Sequence, residues 1–92
     1  MKTVTIRGID FTGPEELHDY LASELSFPAY YGRNLDALYD VLTDISEETT
    51  IEFDLEDMDD SDFAEYLSRV IRVVRDAAEE NHMICVEFSE ES

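Results

Sequence analysis

Ninety-two residues carry 24 Asp plus Glu against 6 Lys plus Arg, a formal net charge of -18 at pH 7. That length makes residues 1–92 a single domain with one modest core, and that field opposes nucleic-acid phosphates and anionic lipid heads while favouring basic proteins and cations. An apolar content of 43% with five Tyr and five Phe excludes a disordered polyelectrolyte, because such chains are poor in both classes.

No basic segment leads into an apolar stretch at the N-terminus, and no run nears the about eighteen apolar residues of a membrane span. The expectation is a cytoplasmic protein without membrane or nucleic-acid partners. The acidity also suits solubility or a saline habitat, given a single lysine, Lys2. The lone cysteine, Cys85, has no internal disulfide partner and sits in an apolar run, which predicts a buried, inert thiol.

Thr3 to Arg7 is a β-branched run ending at Gly8 and reads as a first strand. Thr12-Gly13-Pro14-Glu15 starts a helix, with either Thr12 as the cap of a capping box or Gly13 as the cap ahead of Pro14. Leu17, Leu21 and Leu25 form the apolar stripe of that helix with Tyr20 beside it, and Phe27-Pro28 ends it. His18 lies off the stripe, with no second ligand-type residue at metal spacing, and is expected at the surface or hydrogen-bonded.

After a loop from Ser26 to Arg33, Gly32 permits a turn and Asn34 is a natural N-cap, so a second helix runs from Leu35 to about Asp44. Leu35, Leu38, Val41, Leu42 and Ile45 share one face of it. Asp36 and Asp40, at i and i+4, fall nearly opposite, with Tyr39 between the two faces.

Thr50 to Leu55 alternates as a half-exposed strand with an acidic wet face. Glu56 to Asp62 is a charge run anchored only by Met58, with room for one short helical turn at most. Ser61 or Asp62 caps a long helix whose Phe63, Leu67, Val70, Ile71, Val74 and Ala78 recur at helical spacing. Glu65 with Arg69 and Asp76 with Arg72 are spaced for weak ion pairs, and Asn81 is a plausible C-terminal cap. Met83 to Phe88 is nearly continuous in apolar character, which suits a central, twice-covered strand, and Ser89 to Ser92 is an acidic tail.

Strands separated by helix-bearing links imply an α/β fold in which a small three-stranded parallel sheet packs with three to four helices. The pattern leaves the spatial order of the strands open.

Catalytic chemistry is poorly supported. A carboxylate pair acting as acid and base needs one pKa raised, and a first-turn position such as Asp36 favours the ionised form instead. Metal binding by Asp36, Asp40 and Asp44 finds no Cys or His to complete it. A calcium loop starting at Asp57 fails because Asp62 stands where Gly is needed and Ser68 where Glu is needed. There is no phosphate loop and no Gly-x-Ser-x-Gly, so a non-enzyme without metal or cofactor is expected. Asp36, Tyr39 and Asp40 could form an ordinary solvated helix face, but Tyr30, Tyr31 and Tyr39 cluster around them, and tyrosines are enriched in interface hot spots.

Pro28-Ala29-Tyr30-Tyr31-Gly32-Arg33-Asn34-Leu35-Asp36-Ala37-Leu38-Tyr39-Asp40 resembles the signature of the barstar family, intracellular inhibitors of a secreted bacterial ribonuclease. The likeness extends over nearly the whole chain through Leu17-His18, Leu42-Thr43, Glu52 and Val70 to Ala77. The resemblance implies a barstar-like fold and an inhibitor whose second helix and preceding loop plug the ribonuclease active site. By position it implies partner contacts at Tyr30 and Gly32 in the loop, Asn34 at the cap, Asp36, Tyr39 and Asp40 on the helix, and Asp76 on the long helix. Asp40 matches the carboxylate that takes the place of an RNA phosphate.

Several residues depart from the family pattern. Tyr39 replaces the usual tryptophan, Asp76 is a methylene shorter than the usual glutamate, and Arg33 puts a positive charge where an acid is usual. One residue is missing between Leu42 and Ile51, no tryptophan follows the second helix, and Val41 and His82 stand where the family's two cysteines would be. The expectation is a monomeric, cytoplasmic ribonuclease inhibitor of the antitoxin or immunity kind, its partner a basic microbial ribonuclease or related toxin. The alternative is an acidic adaptor or nucleic-acid mimic that binds another basic protein by charge.

Overall fold

A computed structural model describes residues 1–11, 13–55 and 62–88, apart from the side chains of residues 9 and 62. The sequence-based expectations for Thr12, for the Glu56 to Ser61 run and for the Ser89 to Ser92 tail lie outside the described residues. The described elements are β1 (Lys2–Arg7), a 3₁₀ turn (Gly8–Asp10), α1 (Pro14–Leu25), α2 (Leu35–Thr43), β2 (Thr49–Asp54), α3 (Asp62–Glu80) and β3 (Ile84–Phe88). The fold is therefore the expected α/β arrangement of three parallel strands and three α-helices, with the short 3₁₀ turn as an addition.

The strand order is β1-β2-β3, both pairings parallel. Two crossovers that step the same way across a sheet, each right-handed as such units are, leave all the helices on one face. The core shows this result. Val4 and Ile6 of β1, Ile51 and Phe53 of β2, and Ile84 of β3 join Leu17 and Leu21 of α1, Leu38 and Leu42 of α2, and Phe63, Leu67, Val70, Val74 and Ala77 of α3 in one cluster. In-register partners share a face: Val4, Ile51 and Val86 point to the helices, whereas Thr3, Thr50 and Cys85 point away.

That uncovered face explains the alternation in β2. Ile51 and Phe53 are buried while Glu52 and Asp54 are only partly so, and Thr5 Oγ1 donates to Glu52 Oε1 across the strands at 3.2 Å.

It also corrects two expectations. β3 is an edge strand with one uncovered face, not a central, twice-covered one, and Cys85 is exposed rather than buried. The near-continuous apolar run misled because Cys85 lengthens it from the open side, whereas only Ile84, Val86 and Phe88 lie on the helix side; even there Phe88, stacked 5.7 Å from Phe53, remains 44% exposed.

α1 has Gly13 as its N-cap with Pro14 at its first position, and no side-chain bond serves the cap. It stops where Ser26 turns left-handed (φ 56°) ahead of Phe27 and Pro28. On α3 the Glu65–Arg69 pair forms at 3.5 Å, but among the described residues no ion pair joins Arg72 to Asp76. Asn81 does more than close α3. Its Nδ2 donates to Leu42 O at 2.9 Å and Ile45 O at 2.8 Å, so it ties the end of α2 to the end of α3, adding to the bond that Leu42 O already accepts from Ile45 N at 3.2 Å.

Candidate functional site

The candidate surface is built by a loop pinned at its middle and a short helix that follows it. Phe27 packs on Tyr31 with ring centroids 4.9 Å apart, and the Tyr31 amide closes a turn by donating to Pro28 O at 3.0 Å. Tyr31 is 6% exposed, whereas Tyr30 beside it is 86% exposed. The three tyrosines that cluster in sequence thus divide in space: Tyr31 anchors the loop in the core, Tyr30 stands in solvent, and Tyr39 is half-buried at the core's edge.

Under Tyr31 lies His18, 1% exposed. Its Nδ1 is 2.5 Å from Tyr31 Oη and its Nε2 is 2.6 Å from the Tyr66 hydroxyl of α3. A neutral imidazole has one N–H and one bare nitrogen, so one hydroxyl accepts from it and the other donates to it. Burial lowers the His18 pKa below 6.5, with Asp19 opposing and Arg33 reinforcing the shift. Burial likewise raises the pKa values of Tyr31 and Tyr66 above 10.

Gly32 is not the left-handed residue of the turn ahead of α2. The left-handed residue is Arg33 (φ 54°), while Gly32 has an ordinary negative φ. What Gly32 supplies is room: a Cβ there would lie 3.1 Å from Asn34 Nδ2 and 3.3 Å from Ala37 Cβ, so a side chain would require the cap or the first turn of α2 to give by a few tenths of an ångström. Arg33 is held across the loop by Asp19.

Asn34 caps α2 as its sequence predicts. Its Oδ1 accepts from Ala37 N at 2.8 Å, and its Nδ2 reaches Gly32 O at 3.3 Å. The cap therefore couples the helix to the loop that precedes it.

On α2, Leu38 and Leu42 are buried and Leu35, Val41 and Ile45 flank them, which turns Asp36 and Asp40 outward, both exposed. Among the described residues neither carboxylate is in an ion pair. A recess of about 330 Å³, which neither Asp36 nor Asp40 lines, runs between the loop and the end of α2, with Phe27, Tyr30, Val41 and Ile45 among its walls and Asp44, Glu47 and Lys2 as its charged residues.

Of the sequence-predicted site residues, Tyr30, Gly32, Asn34, Asp36, Tyr39 and Asp40 thus lie on one continuous loop-and-helix stretch. Asp76 is exposed on α3, the helix that packs along α2. Sequence reasoning reaches the supports behind this surface only in part: His18, expected at the surface or hydrogen-bonded, is hydrogen-bonded and buried, Asn81 is expected only as a cap, and Tyr66 and Asp19 are not singled out. His18 adjoins the buried Leu17, but its two hydroxyl partners are 13 and 48 residues away, and no local pattern announces them.

Among the described residues, no helix is long and apolar enough to cross a membrane. No group of three or more His, Cys, Asp or Glu residues among them comes together in a way that could hold a metal ion. What the surface offers chemically is exposed carboxylate on a capped helix beside aromatic and apolar area, which suits a partner presenting arginine, lysine or protonated histidine.

Comparison with known proteins identifies the family. The profile of the family described as "Barstar (barnase inhibitor)" matches residues 1–89. A protein of Bacillus subtilis (strain 168) named "Putative ribonuclease inhibitor YrdF" is 40% identical over 81 residues, which cover 87% of this chain and 89% of that protein. The chain belongs to the barstar family.

Proposed function

We propose that this protein is a non-enzymatic inhibitor of a basic, barnase-type microbial ribonuclease, acting as a monomer in the cytoplasm of the cell that makes the nuclease. The loop Tyr30 to Asn34 and helix α2 enter the ribonuclease active site. Asp36 and Asp40 accept charge-assisted hydrogen bonds from groups that otherwise hold RNA phosphate, Tyr30 and Tyr39 supply buried area, and Asp76 adds a carboxylate from α3. An enzyme that grips RNA must present cations in its cleft, and a carboxylate of fixed position competes for them without offering a bond to cleave.

The observation that carries this reading is the pair Asp36 and Asp40, exposed on a capped helix and, among the described residues, in no ion pair. Inhibition of ribonuclease cleavage of a fluorogenic RNA tests it. Asp40→Ala is expected to weaken inhibition by at least about thirtyfold, the scale of a hot-spot loss near 2 kcal/mol. Added salt is expected to weaken it further by screening.

The net charge of -18 favours a second reading, an acidic adaptor that binds a different basic protein or toxin by overall charge. That reading predicts equal damage from neutralising the Glu56 to Asp62 run and from neutralising Asp36 with Asp40. The inhibitor reading predicts damage mainly from the second.

A further inference from the structure

His18 fastens three separate parts of the chain at one buried point. It belongs to α1, Tyr31 to the loop and Tyr66 to α3, and the rings crowd together with centroids 5.7 and 6.0 Å from that of His18. The loop residues proposed to meet the partner lie on either side of Tyr31. Tyr30 precedes it, Gly32 follows it, and Asn34 carries the constraint into the first turn of α2.

The bonding capacity of the imidazole makes this fastening conditional. The neutral ring matches its two hydroxyls, one as acceptor and one as donor. The imidazolium has two N–H groups and no lone pair, so a hydroxyl that donated to the ring must turn its proton elsewhere. Tyr31 is buried and Tyr66 partly so; whichever hydroxyl donated loses its acceptor at this junction, and an unsatisfied buried hydroxyl and an unpaired buried charge are both costly. The groups that face the ring are Asp19 on α1, Tyr31 and Arg33 from the loop, and Tyr66 from α3. Asp19 and Arg33, paired at 2.6 Å, act on the ring in opposite senses, Asp19 favouring the imidazolium and Arg33 opposing it. Burial is the larger influence and favours the neutral ring.

We infer that His18 is the positioning residue of the contact loop: as a neutral imidazole it holds Tyr31, and through it Tyr30, Gly32 and Asn34, ready for the partner, and on protonation it lets the loop go. The inference rests on the proposed inhibitor reading for its consequence, release of the ribonuclease in acid, but its physical content concerns the free protein.

Backbone amide exchange of the free protein, followed by NMR from pH 7.5 to pH 5 and corrected for the intrinsic rate, tests it. Protection of the Tyr31 amide is expected to fall about tenfold more than that of Val74 in α3, as local opening of the loop requires. His18→Gln keeps a donor and an acceptor without titrating and is expected to abolish that pH response. Tyr31→Phe keeps the ring and cuts only the loop's bond, so its loop is expected to exchange at pH 7.5 as the acidified wild type does, which serves if the His18 variant does not fold. Equal protection of Tyr31 across the pH range, or the same pH response in His18→Gln or Tyr31→Phe, would overturn the inference. Failure to inhibit any ribonuclease at pH 7.5 would instead count against the proposed function and leave these exchange results standing.

Discussion

Arg33 Nε lies 2.6 Å from Asp19 Oδ1, so the cation that interrupts the acidic contact surface is tied back to α1 rather than left to face outward alone. Both side chains are more than half exposed, at 55% and 60%, and exposed pairs contribute about 0.2–1 kcal/mol. A double-mutant cycle of Arg33→Ala and Asp19→Ala in urea unfolding is expected to give a coupling in that range, shrinking in 1 M salt as screening sets in. A coupling above about 2 kcal/mol would mean that the pair acts as a buried one.

Asn34→Ala removes the side-chain bond to the first turn of α2 and is expected to cost about 1 kcal/mol of stability. Asn34→Asp keeps an acceptor for the Ala37 amide and is expected to lose only a few tenths of that. Urea midpoints with unchanged slopes check the pair. Equal losses in both variants would show that the Nδ2 bond to Gly32 O, and not the cap, is the part that matters.

Asn81→Ala removes the donor that Leu42 O and Ile45 O share where α2 ends, while Leu42 O keeps the Ile45 amide at 3.2 Å. The expected loss is about 1–3 kcal/mol, larger than for an exposed asparagine because an unmet acceptor in a packed junction carries a desolvation cost. Chemical unfolding measures it. A loss within about 0.5 kcal/mol, the usual range of plain surface substitutions, would show that water replaces the amide there.

Stability should also bend with pH at both ends. His18 has a folded pKa below its unfolded 6.5, so the unfolded chain binds the proton first. Its contribution is complete above pH 6.5 and is lost as pH falls through the lower folded value. Tyr20, Tyr31 and Tyr66 have folded pKa values raised above 10. Their contribution is complete below pH 10 and is lost as pH rises beyond it. Urea midpoints of wild type and His18→Gln should therefore converge as pH falls below 6.5 and keep a constant gap between about pH 7 and pH 9. A gap that widens in acid contradicts the assignment.

Much of this fold is legible in the chain because its signals are local. The cap at Asn34, the stop at Phe27-Pro28 and the stripe Leu38, Leu42 beside Asp36, Asp40 each follow from residues within a turn or two of one another. The long helix shows its buried face through Phe63, Leu67, Val70 and Val74 for the same reason. What eluded the sequence depends on partners far along the chain. Cys85 reads as core because its neighbours are apolar, and only the strand order and register place it on the uncovered face. His18 reads as a lone polar residue until Tyr31 and Tyr66 are folded onto it. Gly32 and Arg33 form a turn in which either could hold the left-handed position, and the ion pair to Asp19 together with the close approach of Ala37 to Gly32 settles it.

The central claim, that α2 and its loop stop a ribonuclease, is tested most directly by titrating the purified protein into a barnase-type ribonuclease at fixed enzyme concentration. RNA cleavage is expected to fall linearly to zero at one inhibitor per enzyme for the wild type. Asp36→Ala with Asp40→Ala, folded by circular dichroism, is expected to leave most of the activity at the same ratio. Full cleavage at a large excess of wild type, for barnase-type enzymes and for every ribonuclease of the source organism, would contradict the account.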